Sequence, residues 1–110
     1  MTPSAYSLNH LQQLLDTGSL RHRVIAQNVA NVNTPGYKRL EVRFADELGR
    51  ATGEAKPQVV EGLGPERVDG NTVDIDREMN DLTKNALLYQ AAMQVLANRM
   101  AALRSAVSGR

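Results

Sequence analysis

The sequence predicts an all-α fold in which two long helices, one at each end of the chain, pack as an antiparallel, coiled-coil-like pair. Apolar residues recur at alternating spacings of four and three in the last third of the chain, and less regularly in the first third. Of the 25 charged residues, 17 (seven basic, ten acidic) lie at 38–78, and six of the eight glycines lie at 36–70. We therefore expect one domain, residues 1–110, with a polar, turn-rich middle.

The first helix is predicted over residues 1–34. Its apolar seam consists of Leu8, Leu11, Leu15, Gly18, His22, Ile25, Val29 and Val32. Gly18 and His22 interrupt this seam, so the helix is expected to be weak or bent there. Pro35 disfavours helical geometry at Thr34, and Pro35 and Gly36 suit the two central positions of a type II turn. The helix is therefore expected to stop at this point.

The middle segment, residues 35–73, is predicted to be loop-rich. Residues 42–44 and 59–60 fit either short strands or anchored loop, and little regular structure is expected over 49–72. A turn is predicted at 69–71. A calcium loop starting there is excluded, because its sixth position is not glycine and its twelfth is not glutamate.

The second helix is predicted over residues 74–108. Asp74 suits the N-cap, and Asp76 and Glu78 place carboxylates in the first turn, where they favour the helix dipole. An unbroken heptad seam comprises Ile75, Met79, Leu82, Ala86, Tyr89, Met93, Leu96, Met100, Leu103 and Val107. Across both helices, the residues expected to carry helix packing are Ile25, Val29, Met79, Leu82, Tyr89, Met93, Leu96, Met100 and Leu103.

Two helices can cover only part of each other's apolar surface, so both seams need further partners. Alanines flank the second seam and suit the close approach of more helices: Ala91, Ala92, Ala97, Ala101, Ala102 and Ala106. The residues therefore predict a helical subunit that completes its core by assembly.

The composition excludes several classes of function. The formal net charge is only +1 and residues 38–78 sum to −3, which disfavours nucleic acid as a partner. The absence of cysteine excludes disulfides, thiolate metal sites and a cysteine nucleophile. No nucleophile elbow or phosphate-binding loop occurs, and His10 and His22 lie roughly 18 Å apart on one predicted helix. We expect no enzyme activity, no metal, no cofactor and no small-molecule ligand.

Three asparagines occur within six positions, at 28, 31 and 33, although asparagine is a mediocre helix residue. Asn28 and Asn31 are i, i+3 neighbours on one helix face. Two interpretations remain open. The pair either loosens a fraying helix end or forms a polar ladder that fixes the register between packed helices, as a buried asparagine does in coiled coils.

The stretch from Val24 to Lys38, which reads VIAQNVANVNTPGYK, closely resembles the signature of the flagellar rod and hook family. The positions that match the family motif are Asn28, Asn31, Thr34, Pro35, Gly36 and Tyr37. The proximal-rod branch of this family is similar at residues 42–48, 73–79, 84–90 and 103–107. The segment 49–67 is shorter than usual for the family, and Val32 and Asn33 stand where alanine and aspartate are common in that branch.

The resemblance implies a structural subunit of the flagellar basal-body rod, which polymerises with other axial proteins and transmits torque from the motor to the hook and filament. It implies as partners other rod subunits, membrane-ring and rod-adaptor proteins, and the flagellar type III export apparatus. It also implies a periplasmic location. The first residues carry no recognisable cleavable signal segment, which fits export without one. Two alternatives stay open: another proximal- or distal-rod subunit, and a small helical nucleic-acid-binding protein.

Overall fold

The structure, a computed structural model, describes residues 3–44 and 56–109. Its elements are helix α1 (Pro3–Ala30), strand β1 (Leu40–Phe44), strand β2 (Pro57–Glu61) and helix α2 (Ile75–Ser108). The two helices lie side by side in an elongated molecule of 64 × 28 × 14 Å, and β1 packs against α1. In the described residues, neither helix has a stretch that is both long and apolar enough to cross a membrane.

Helix α1 continues through Gly18 without a break, so the predicted weakness at this glycine does not interrupt it. The helix ends at Ala30, four residues before the predicted end. Beyond it, the amide groups of Val32 and Thr34 bond back over three residues, at 3.2 and 3.0 Å. Such tightened turns are common at helix ends, because they satisfy carbonyl groups that have no partner further along the chain.

The predicted turn at Pro35 and Gly36 is confirmed. The amide of Tyr37 donates to the carbonyl of Thr34 at 3.2 Å, and Gly36 has a φ of 75°. A positive φ at this position is what a type II turn requires, and glycine adopts it without steric cost. The turn sends the chain from the end of α1 into β1.

The middle segment contains a two-stranded antiparallel sheet, so the prediction of an all-α fold is wrong in this respect. Its register runs from Leu40 opposite Glu61 to Phe44 opposite Pro57. The strand alternative for both short apolar stretches is confirmed, and the expectation of little regular structure over 49–72 is wrong where β2 lies. A two-stranded sheet depends on neighbouring elements for stability. Here α1 is that neighbour, and a local sequence pattern does not reveal it.

Helix α2 has the predicted N-cap. The side chain of Asp74 accepts hydrogen bonds from the amides of Asp76 (3.0 Å) and Arg77 (3.4 Å). At the other end, Gly109 adopts a left-handed conformation (φ 72°) and its amide bonds to the carbonyl of Ser105. Both ends are therefore closed by local signals.

The predicted heptad seam of α2 is only partly the face that packs against α1. The buried residues of α2 are Glu78, Asn85 and Ala92, which lie seven apart. Three residues of the predicted seam lie beside these buried positions and have half-buried side chains: Leu82, Tyr89 and Leu96. In contrast, Met79, Met93 and Met100 are 45–49% exposed, and Leu103 is 56% exposed. These four residues therefore contribute little to the contact within the chain, and their predicted role in helix packing stays a prediction for contacts with other subunits.

Gly18 explains why this face of α2 turns inwards. A Cβ atom at Gly18 would lie 2.9 Å from Cδ2 of Tyr89, and Asn85 Nδ2 donates to the Gly18 carbonyl oxygen at 2.8 Å. The missing side chain thus creates a notch that admits Tyr89 and Asn85. On α1 the predicted seam fits better, since Ile25 is buried and Val29 half-buried, although His22 is exposed.

Candidate functional site

A cluster of buried polar side chains joins the end of α1, the start of β1 and the first turns of α2. We call it the polar clamp, and it comprises Asn28, Arg39, Asn71, Thr72 and Glu78. Within the part of the chain that the structure describes, no buried side-chain nitrogen or oxygen lacks a hydrogen-bond partner. The clamp therefore avoids the desolvation cost of unpaired polar groups, and it specifies one arrangement of its three elements.

Asn28 lies at the centre of the clamp and is 0% exposed. Its Oδ1 accepts from the amide of Leu40 (2.9 Å) and from the hydroxyl of Tyr37 (3.2 Å). Its Nδ2 donates to the carbonyl of Leu40 (2.8 Å) and to Glu78 Oε2 (3.1 Å). These four bonds use the full capacity of a side-chain amide. Asn28 therefore fixes α1 to β1 and α2 within the chain and has no capacity left for a neighbouring subunit.

Arg39 and Glu78 form an ion pair inside the molecule. Arg39 Nε donates to Glu78 Oε1 at 2.8 Å, and the two side chains are 3% and 0% exposed. Burial acts to lower the pKa of the Arg39 guanidinium, but the hydrogen bond and charge of Glu78, together with Glu41, outweigh it and raise the pKa. The guanidinium is therefore charged, with Glu78 as its nearest acidic partner and Glu41 Oε2 at 3.5 Å from Nη1.

The middle segment crosses the ion pair at Gly62 and Leu63. The amide of Gly62 donates to the Arg39 carbonyl at 2.7 Å, and Arg39 Nη1 donates to the Leu63 carbonyl at 3.3 Å. A Cβ atom at Gly62 would collide with the guanidinium group. The backbone after β2 thus supplies one wall of the clamp, and only glycine leaves space for the arginine.

Asn71 closes the end of α1 from the loop before α2. Its Nδ2 lies 2.9, 3.1 and 2.8 Å from the carbonyl oxygens of Asn31, Val32 and Thr34. Its Oδ1 accepts from the amide of Val73 at 2.7 Å. Carbonyl groups at a helix end have no helical partners. The two N–H groups of this buried amide thus share three carbonyl oxygens in the turns that follow α1, and they anchor the loop to the end of the helix.

The two asparagines of the open question have different roles. Asn31 Nδ2 donates to the carbonyl of Gln27, one turn back, at 2.8 Å, and Asn31 Oδ1 accepts from the exposed hydroxyl of Thr34 at 3.1 Å. Asn31 thus helps to end the helix locally. Asn28 fixes the register between packed helices, as the interpretation as a polar ladder requires. The two helices, however, belong to the same chain and not to neighbouring subunits.

The remaining motif residues form the surface turn and its support. Thr34, Pro35 and Gly36 are exposed, and the amide of Gly36 donates to the Asp69 carbonyl at 2.8 Å. Tyr37 is half-buried, and burial raises the pKa of its hydroxyl, with the charge of Glu78 acting in the same direction and a hydrogen bond with Gln27 opposing it. A protonated hydroxyl is the form that donates to Asn28.

Sequence reasoning missed Arg39, Asn71 and Glu78 as members of a site. For Glu78 a signal was present, because Glu78, Asn85 and Ala92 form their own heptad line, one position before Met79. A polar line beside an apolar seam is normally a solvated flank. Arg39 and Asn71 carry no local signal for this role, because the contacts that join them to Glu78, Leu63 and Asn31 span 24 to 40 residues of the chain.

The sequence is similar to those of known flagellar rod proteins. Residues 8–38 match the family described as "Flagella basal body rod protein". The chain is 34% identical over 119 aligned positions to the flagellar basal body rod protein FlgB of Borrelia hermsii, covering 84% of this chain and 88% of that protein. It is 29% identical to FlgB of Aeromonas hydrophila, with 89% of each chain covered, and 30% identical to FlgB of Cereibacter sphaeroides, with 88% and 90% covered.

A long helix pair locked at one end by a polar clamp, with an apolar surface left open on α2, defines a structural assembly subunit. The chain belongs to the FlgB family of flagellar basal-body rod proteins. It is accordingly a structural subunit of the rod, located in the flagellar basal body.

The contrast between two ion pairs of equal length tests the importance of burial. Glu78→Ala leaves the buried Arg39 charge with only the longer, 3.5 Å contact to Glu41, and it should cost about 3–5 kcal/mol. Glu66→Ala removes the exposed pair with Lys38, also 2.8 Å long, and should cost no more than about 1 kcal/mol. Urea titration of the helical circular dichroism signal measures both. Equal losses in the two variants would contradict a clamp that depends on buried charge.

The different roles of the two motif asparagines give a second prediction. Asn28→Ala leaves the backbone groups of Leu40 and one oxygen of Glu78 without partners, so it should cost several kcal/mol, at about 1–3 for each unpaired group. Asn31→Ala removes exposed local bonds and improves helix propensity, so it should change stability by less than about 1 kcal/mol. The same urea titration compares them, and a larger loss from Asn31→Ala would refute the assignment.

Proposed function

We propose that the helix pair is antiparallel and coiled-coil-like, and that it polymerises with other axial proteins into a rod that transmits torque from the motor to the hook and filament. The order of contacts supports the direction of the helices. Glu78 meets Asn28, whereas Asn85, later in α2, meets Gly18, earlier in α1. A stiff pair of this kind suits a load-bearing subunit, because its backbone hydrogen bonds run along its length.

The proposal of polymerisation rests on the exposed apolar side chains of α2. Exposed apolar side chains occur along its whole length: Ile75, Met79, Leu87, Leu88, Met93, Val95, Met100, Leu103 and Val107. Leu103 and Val107 are 56% and 82% exposed, and they lie in the part of α2 that follows its last buried residue. Of these exposed side chains, Met79, Met93, Met100, Leu103 and Val107 follow the heptad spacing of one face, and an exposed apolar stripe on one face of a helix marks a protein contact. Neighbouring rod subunits are the partners that this surface fits.

The proposed role also sets the location and route of the subunit. A rod subunit that lies in the periplasmic space must leave the cytoplasm, and we infer that it does so through the flagellar type III export apparatus without a cleaved signal. Membrane-ring and rod-adaptor proteins are the further proposed partners. The role is structural and involves no catalysis, cofactor, nucleic acid or small-molecule ligand.

A pair of charge substitutions on the exposed end of α2 tests the assembly role. Leu103→Asp should abolish or strongly reduce swimming, because a charge would be buried against a neighbouring subunit. Ser105→Asp introduces the same side chain two residues away, at an exposed polar position, and should leave swimming largely intact. Swimming on soft agar of a complemented null strain compares them.

Both substituted positions are exposed in the free subunit, so neither variant should lose helix when purified. Circular dichroism of the two variants checks this control. Normal swimming of the Leu103→Asp strain, at normal subunit levels, would contradict the assignment of this surface to the rod.

A further inference from the structure

An open cavity of about 260 Å³ lies where α1, β1 and α2 meet. Its lining includes Val24 and Ile25 of α1, Val42 of β1 and Leu88 of α2. Val24 and Ile25 are buried and form an apolar floor, whereas Leu88 is 67% exposed. The cavity therefore offers apolar surface that no other part of the described chain covers.

Exposed apolar side chains continue from this cavity along both helices. Leu14 lies seven residues before Arg21, which lines the cavity, and Val95 lies seven residues after Leu88. Residues seven apart lie on nearly the same side of an α-helix. In the proposed antiparallel pair, both continuations run in the same direction, and Leu14 and Val95 are 60% and 43% exposed. We call the cavity together with Leu14, Leu88 and Val95 the flank groove.

The flank groove is separate from the stripe of exposed methionines on α2. Leu88 follows the buried Asn85 by three residues, which places it about 60° to one side of the face that packs against α1. Met93 follows the buried Ala92 by one residue, about 100° to the other side. A partner bound at one of these surfaces thus leaves the other open.

Two basic side chains border the cavity without an acidic partner. In the described part of the chain, no ion pair joins Arg21 or Lys84 to a carboxylate. Of the acidic residues that line the cavity, Glu41 already pairs with two arginines, and Asp81 balances only one of the two free cations. Because Arg21 is half-buried beside the apolar floor, it gains from a carboxylate that approaches it there.

We propose that the flank groove binds an amphipathic helix of a different axial protein, which inserts an apolar side chain into the cavity and places a carboxylate beside Arg21 and Lys84. Sites for small molecules are usually larger, at roughly 300–1,000 Å³, and an apolar anchor with a flanking charge is typical of a helix bound in a groove. Two copies of this chain related by a two-fold axis through the groove would place these cations against each other. The inference rests on the assembly role of the proposed function.

Two synthetic peptides test the charge of the partner with the purified full chain. Each is an amphipathic helix of about 20 residues with leucine on one face. The positions beside the leucines are glutamate in one peptide and lysine in the other. We expect the glutamate peptide to bind at least tenfold more tightly, as measured by fluorescence anisotropy.

Charge reversal in the groove separates local recognition from the overall charge of the chain. Arg21→Glu combined with Lys84→Glu should reverse the preference between the two peptides. Arg23→Glu combined with Arg104→Glu changes the net charge by the same amount at exposed positions that do not line the cavity, and it should keep the preference. Equal binding of both peptides to the wild-type chain, or a preference that survives the reversal at positions 21 and 84, would overturn the inference.

Two adjacent leucines provide a matched pair for the function in the cell. Leu87 and Leu88 are 62% and 67% exposed, but of the two only Leu88 lines the cavity. Leu88→Asp should weaken binding of the glutamate peptide at least tenfold and reduce swimming, whereas Leu87→Asp should keep both. Circular dichroism should show equal helix content in the two variants.

Normal swimming of the Leu88→Asp strain would overturn the inference. The proposed function would then still stand if Leu103→Asp stops swimming, because that variant tests the other surface. Self-association of the wild-type chain in sedimentation experiments that is lost in Leu88→Asp would also overturn the inference, since the occupant of the groove would then be a second copy of this chain.

Discussion

The buried ion pair between Arg39 and Glu78, with Asn28 bonded to the same carboxylate, is the interaction on which the other elements depend. It brings together side chains from three elements that are distant in sequence. Neither charge can be buried alone, so α1, the start of β1 and the first turns of α2 must come together as one unit. The loop from Gly62 to Asn71 completes this unit by covering the guanidinium and closing the end of α1.

The clamp has consequences for the rest of both helices. At the clamp, hydrogen bonds hold the helix pair together, and at Gly18 the fit of Tyr89 and Asn85 continues the contact. Farther along α2, residues 101–109 are all exposed in the isolated chain. A helix without packing partners is marginal in water, so we expect this end to gain stability from the neighbours proposed for it in the rod. In the proposed role, the subunit has one end that specifies its own geometry and another that is completed by assembly.

Much of the architecture followed from local sequence signals. Helix α2, its Asp74 cap and the turn at Gly36 were predictable, because each depends on residues that are close together in the sequence. The face of α2 that packs against α1 could not be predicted, because it depends on the notch at Gly18. In the sequence, this glycine looks like an interruption of the apolar seam of α1. The motif identified Asn28 but not Arg39, Asn71 or Glu78, whose roles arise only when distant segments meet. The short sheet was ambiguous because its stability comes from α1.

Hydrogen exchange of the purified, unassembled chain tests most directly whether the clamp organises the subunit. Amide protection reports the free energy of local opening residue by residue. We expect strong protection at 24–30 and 78–86, around the clamp and the Gly18 notch, with rapid exchange over 100–108. Uniform protection along α2, or protection that is weakest around Asn28 and Glu78, would contradict a subunit whose order originates in the buried ion pair.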